Sequence, residues 1–134
     1  NNIDYVTIAT TGNAVNFGAL TTSPAGVAAC SSSVRGVFAG GIQSFVGALN
    51  VISYVTIAST GNAIDFGDLL ATNSYLAGTS SSTRGIFAGG TSSNVIQYIT
   101  IASTGNAIDF GDLTRTQPGA SGLGACSNAH GGLA

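Results

Sequence analysis

Short apolar runs broken by glycine and hydroxyl-bearing residues recur along the whole chain. Nowhere does an apolar period of 3.6 residues last long enough for an amphipathic helix. One complete set begins with residues 26–31 (GVAACS), which lead into a polar turn at 32–35. Residues 36–40 (GVFAG) follow and open into a variable connection. Residues 52–58 (ISYVTIA) are rich in the β-branched and aromatic side chains that suit a pleated strand. The turn at 59–62 carries Gly61-Asn62, a pair that tolerates positive φ and can close a hairpin. Residues 63–69 (AIDFGDL) complete the set. The pattern predicts units of four short antiparallel strands in an all-β chain.

The set is repeated. Residues 5–20 read YVTIATTGNAVNFGAL, 54–69 read YVTIASTGNAIDFGDL and 98–113 read YITIASTGNAIDFGDL. The last two differ only at Val55/Ile99. A second block recurs as RGVFAGG at 35–41 and RGIFAGG at 84–90. Tyr54 follows Tyr5 by 49 residues and Tyr98 follows Tyr54 by 44. Periods of this size point to propellers, solenoids or arrays, whose units bury a shared core against their neighbours.

The third strand of the unit indicates how its sheet is covered. Ile99 and Ile101 share one face, while Tyr98, Thr100 and Ala102 share the other, and neither face is charged. A sheet with one wet face alternates apolar with strongly polar residues. The expectation is therefore a sheet covered on both sides, with Gly, Ala, Ser and Thr allowing close approach.

Composition sharpens the point. The chain has no Lys and no Glu, and charged residues make up 6 % of its 134 positions, against roughly 25 % in soluble domains. Much of its surface is expected to lie against copies of itself or other chains. A net charge of −2 with no basic cluster excludes nucleic acid, whose binding depends on cations at phosphates. No run approaches the roughly 18 apolar residues of a membrane span. The chain opens at Asn1 with no visible targeting segment, which implies processing or a segment of something longer.

Two glycines end a short apolar strand (Gly40-Gly41, Gly89-Gly90) ahead of a strand containing Tyr54 or Tyr98. A turn and an aromatic, Phe66 or Phe110, follow. That order resembles the kelch repeat, with Phe in place of its usual Trp. The wording of the repeat is similar to kelch-like repeats in structural proteins of marine bacteriophages. The resemblance covers nearly the whole chain and implies β-propeller blades: a half blade at 1–20, complete blades at 25–69 and 75–113, and a leading half blade at 120–134. About three blade equivalents fall short of the roughly four that close a propeller. Either the chain is a segment of a longer propeller, which the register of its end favours, or two copies close a six-bladed ring. Unmatched ends that add head to tail without closing give a filament.

Chemistry-bearing residues are sparse. Asp65-Phe66-Gly67-Asp68 and Asp109-Phe110-Gly111-Asp112 carry kinase-like letters without the other kinase motifs. The first copy, Asn16-Phe17-Gly18-Ala19, lacks carboxylates, which argues against a calcium site. These aspartates are expected to cap turns or pair with Arg35 and Arg84, the recurring cations. Arg35 and Arg84 are themselves expected to anchor one blade to the next, or else to line a channel mouth for an anionic ligand. His130 has no partners at triad spacing. Cys30 and Cys126 occupy equivalent places, too far apart for a disulfide, and are expected to be small buried thiols. The serine and threonine runs at 31–33 and 79–83 read as turn and inner-strand residues.

Differences between repeats are more suggestive of binding. Residues 41–50 form a connection five residues longer than its counterpart at 90–94 and place Phe45, Val46 and Leu49 in it. Loops on a rigid scaffold are where binding residues concentrate, so this one is expected to make a protein contact or to fold back over its own blade. Asn73, Tyr75 and Gln117 lie between blades, where they could hold a sugar; Tyr75 could equally anchor blades. No catalytic residue and no cofactor is expected. The resemblance implies a non-enzymatic virion structural or attachment protein, virion-borne or extracellular, whose partners are its own copies or other virion proteins. A glycan-binding propeller for host-surface recognition and a self-assembling extracellular filament are the competing classes.

Overall fold

The computed structural model describes residues 1–116 and 122–128. It is all-β, and its strands form three antiparallel sheets. Strands β1 (Asn2–Tyr5) and β2 (Val15–Ala19) make a two-stranded sheet. The middle sheet takes β3 (Ala28–Ser31), β4 (Arg35–Ala39), β6 (Gly47–Thr56) and β7 (Ile64–Asn73) in that spatial order. The short β5 (Ile42–Gln43) pairs with the start of β6. The last sheet runs β8 (Ala77–Ser80), β9 (Arg84–Ala88), β10 (Val95–Thr100) and β11 (Ile108–Asp112). No sheet closes on itself among the described residues.

Each of the two larger sheets is thus built on a sequential four-stranded meander. The first hairpin of each is closed by a serine. Ser32 Oγ accepts from the amides of Val34 and Arg35, and Ser81 Oγ accepts from those of Thr83 and Arg84. A hydroxyl in this position satisfies amides that the turn leaves without a ladder partner.

The last two strands of each set share a bulge. Ile52 pairs with Gly67 but Ser53 pairs with Asp65, so Phe66 is an extra residue in β7. The same slip occurs at Phe17 in β2 and Phe110 in β11. A bulge of this kind takes one residue out of the ladder and bends the strand. Each bulged phenylalanine meets the tyrosine of the preceding strand edge to face: Tyr5–Phe17, Tyr54–Phe66 and Tyr98–Phe110, with centroids 5.9, 5.8 and 6.1 Å apart.

The core lies between the middle and last sheets. Val37, Ile52, Phe66 and Leu69 from one cluster with Phe87, Ile99 and Ile101 from the other. Ile99 and Ile101 are buried, as their place in the strand predicts. In the middle sheet both faces are covered: Ile52 and Ser53, neighbours on opposite faces of β6, are both buried. The expectation of two-sided cover fails for the last sheet. Its outward face leaves Phe110 56 % exposed where the equivalent Phe66 of the middle sheet is 2 % exposed, because among the described residues no further sheet lies against it.

The connection at 41–50 also differs from a simple loop. Ile42 and Ala25 exchange backbone hydrogen bonds, each at 2.8 Å. Residues 42–43 then turn back onto 47–48 as a small hairpin, which extends β6 beyond its expected start at residue 52.

Candidate functional site

The distinctive geometry is the joint by which one repeat holds the next. Its parts come from the two most constant pieces of the sequence, the Gly-Asn-Ala turn and the Phe-Gly bulge. At the first joint the amides of Gly61 and Ala63 donate to the carbonyls of Phe17 and Ala19, both at 2.8 Å. Asn62 Oδ1 accepts from the Ala19 amide at 3.1 Å. At the second joint Gly105 and Ala107 donate to Phe66 and Asp68, again at 2.8 Å, and Asn106 Oδ1 accepts from the Asp68 amide at 3.0 Å. The bulge explains why the acceptor is free: the Phe66 carbonyl has left its own ladder and faces the next sheet. The glycine after it allows the approach, since a β-carbon on Gly18 or Gly67 would strike the backbone of Gly61 or Gly105. These three hydrogen bonds, at about 0.5–1.5 kcal/mol apiece, are made at both joints by neutral groups.

Nearer the other edge, β3 and β8 lie together. Ser80 Oγ donates to the Ser31 carbonyl at 2.7 Å and accepts from the Ser31 amide at 3.3 Å. A β-carbon on Gly78 would run into the Ala29 backbone. The described segment 122–128 repeats this placement one sheet further on. Leu123 packs over Gly89 and beside Leu113, as Leu76 packs over Gly40 and beside Leu69.

Arg35 spans the joint. Its Nη1 donates to the Ile101 carbonyl of the next sheet at 2.8 Å, and its guanidinium lies 4.4 Å from the Tyr54 ring centroid. Arg84 keeps the same stacking on Tyr98, at 4.6 Å, on the uncovered face. Neither arginine forms an ion pair with an aspartate among the described residues, which corrects the expected Asp–Arg pairing. The partners are a carbonyl and a ring because the Asp-bearing strand lies beyond the tyrosine.

Tyr75 is half-buried with φ of 59°, donates its amide to the Gly26 carbonyl at 2.8 Å and lays its ring against Gly26. Asn73 is buried. Its Nδ2 donates to Gly89 at 2.9 Å, its Oδ1 accepts from the Ser74 amide at 2.8 Å and its carbonyl accepts from Gly41 at 2.9 Å. It ties both diglycines together and offers nothing to a sugar.

Of the three residues singled out in the long connection, Phe45 and Val46 stand exposed at the hairpin tip, Phe45 with φ of 65°. Leu49 instead lies in β6, half-buried opposite Asn73. Cys30 is held under Gly85, and burial pushes its thiol up to about 12. Cys30 is partly buried and Cys126 is exposed, so the expectation of two buried thiols fails for Cys126. Its equivalent cover would come from a further sheet. His130 and Gln117 lie outside the described residues. Among the described residues no group of three or more metal-ligating side chains gathers.

The joint residues Asn62, Asn106, Gly18 and Gly67 were not among the sequence candidates. Their signal was present: Gly-Asn-Ala and Phe-Gly recur unchanged in all three copies. Comparison with family models and with curated proteins finds no match to this chain.

Proposed function

We infer that this chain is a non-enzymatic structural or attachment component of a phage virion, built from kelch-like β-propeller blades. It acts through protein contacts at its sheet faces and loops. The observation that carries this reading is the joint itself: successive repeats are held by backbone groups, small residues and one arginine, with almost no charged surface between them. Such a contact stacks copies of the same unit, which is what a virion component is required to do. The exposed Phe45-Val46 tip adds an apolar contact point of the kind that protein partners cover. Burial of Asn73 weighs against the glycan-binding alternative.

The kelch-like wording of the repeat and the sequential four-stranded sheets, packed with their first strands together, support the blade assignment. The same uncharged backbone contacts between repeats also favour a second reading, a self-assembling extracellular filament subunit. Mass spectrometry of density-purified phage particles separates the two. Tryptic peptides 36–84 and 85–115 are expected in the particle fraction. Recovery of those peptides only from fibres or soluble lysate, and never from particles, overturns the virion assignment.

A further inference from the structure

A cleft of about 260 Å³ opens at the complete joint between the middle and last sheets. One wall is the serine turn between β3 and β4, with Ser32, Ser33, Val34 and Arg35. The other is Ser82, from the turn between β8 and β9, and Ala102, from the turn after β10. Ser32-Ser33-Val34-Arg35 recurs as Ser81-Ser82-Thr83-Arg84. Ser33 and Ser82 are therefore the same position in neighbouring units, and both line the cleft.

Arg35 is held in this cleft from two sides. Its guanidinium lies 4.4 Å from the Tyr54 ring centroid, and its Nη1 donates to the Ile101 carbonyl at 2.8 Å. The Nε–Nη2 edge has no partner among the described residues. Two parallel N–H groups of that kind match two oxygens of an oxyanion. No acidic side chain lines the cleft, so the positive charge is not neutralised in place. Ser33 and Ser82 are exposed, and neither hydroxyl has a partner among the described residues. Ser32 Oγ accepts two amides of its own turn and keeps its proton to donate.

We propose that this cleft binds a small oxyanion, either a free ion or the anionic group of a small organic ligand. The Nε–Nη2 edge of Arg35 takes two of its oxygens, and the Ser33 and Ser82 hydroxyls donate to it from neighbouring units. Val34 and Ala102 give the cleft apolar walls, which a carbon skeleton such as a sugar ring can cover and an inorganic ion leaves unused. Because the ligand touches two successive units, binding also favours the closed joint. The site goes beyond the contact role inferred above and does not depend on the virion assignment.

Titrations followed by amide and arginine Nε NMR signals test the site, at constant ionic strength with sulfate, acetate and glucuronate as probes against chloride. The oxyanions are expected to give saturable shifts centred on Ser33, Arg35, Ser82 and Ala102, with a Kd of about 1–10 mM. Glucuronate binding about tenfold tighter than acetate assigns an acidic sugar as the source of the group; equal affinity assigns a free small anion. Arg35→Gln is expected to abolish the shifts. Ser82→Ala alters no hydrogen bond of the fold among the described residues and carries the test if Arg35→Gln fails to fold. It is expected to weaken binding about threefold to tenfold, the effect of one lost hydrogen bond, with unchanged melting. Shifts that do not saturate, that chloride reproduces, that centre elsewhere on the chain, or that persist at full strength in Ser82→Ala overturn the site.

Discussion

The backbone of Gly105 lies so close to Gly67 that a β-carbon on Gly67 would overlap the Gly105 carbonyl. One glycine thereby permits one repeat to seat on another. Its sequence equivalent Gly111 has the same left-handed backbone, and among the described residues nothing lies within 4 Å of a β-carbon placed on it. The pair therefore separates backbone strain from steric exclusion. Gly67→Ala is expected to cost about 1–3 kcal/mol more than Gly111→Ala, the usual cost of overpacking a closed contact, since both carry the strain of alanine at positive φ. Urea unfolding of the two variants in dilute solution measures the difference. Equal losses would mean that the joint at Gly67 is loose.

Arg35 and Arg84 offer a similar comparison. Both stack on a tyrosine, but only Arg35 also donates to a carbonyl across the joint. Arg35→Ala is expected to lose about 1–2 kcal/mol of stability. Arg84→Ala should lose less than about 1 kcal/mol, since an exposed cation–π contact is weak. Thermal melting at low protein concentration checks the ranking.

The two thiols should behave differently towards a thiol reagent. Cys126 is exposed and Cys30 is not, so native protein at pH 8 is expected to react once per chain, and twice after unfolding. The Cys30 thiol is raised from 9.0 to about 12 by burial. The unfolded chain therefore loses this proton first as pH rises, and burial of the neutral thiol ceases to favour the folded state. Its contribution is whole below pH 9 and declines between about pH 9 and 12. Cys30→Ala should flatten that part of the stability profile, whereas Cys126→Ala should leave it unchanged.

Asn73 donates to Gly89 from a buried site. Asn73→Asp replaces the donor with a carboxylate facing a carbonyl. Burial and the facing oxygen raise the pKa of such a group, so the variant is expected to lose more stability at pH 7 than at pH 4. Unfolding curves at the two values test it; a pH-independent loss would show that the amide is not the bonded group.

Phe45, by contrast, touches little of its own chain and is fully exposed at its hairpin tip. Phe45→Ser is expected to change stability by less than about 0.5 kcal/mol. A drop in melting temperature of several degrees would mean that this tip folds onto the body of the chain.

Much of the local structure was legible because its causes are local. Residues 36–40 become β4 within one residue of the expected bounds, and the serine turns follow from a hydroxyl near free amides. The buried pair Ile99 and Ile101 follows from period-two alternation. The hairpin at 42–48 was missed because it is closed partly by Ala25, which is distant in sequence. The aspartates were expected to cap turns or to pair with Arg35 and Arg84, and the pairing rested on charge alone. The fold gives Arg35 a nearer carbonyl and sets Tyr54 and Tyr98 beneath the two guanidinium groups. The joint was written in the constancy of Gly-Asn-Ala and Phe-Gly, but a repeated motif does not say which of its copies it meets.

By itself, the sequence determined an all-β chain, the four strands of each unit and the identity of the repeats, since alternation, turn chemistry and propensity act over a few residues. Only the tertiary structure decided that each turn fastens to the bulge of the preceding unit. It also decided why near-identical segments end in different surroundings, with Phe66 buried and Phe110 open. Burial depends on what lies across a face, and for the outermost sheets no stretch of local sequence supplies that neighbour.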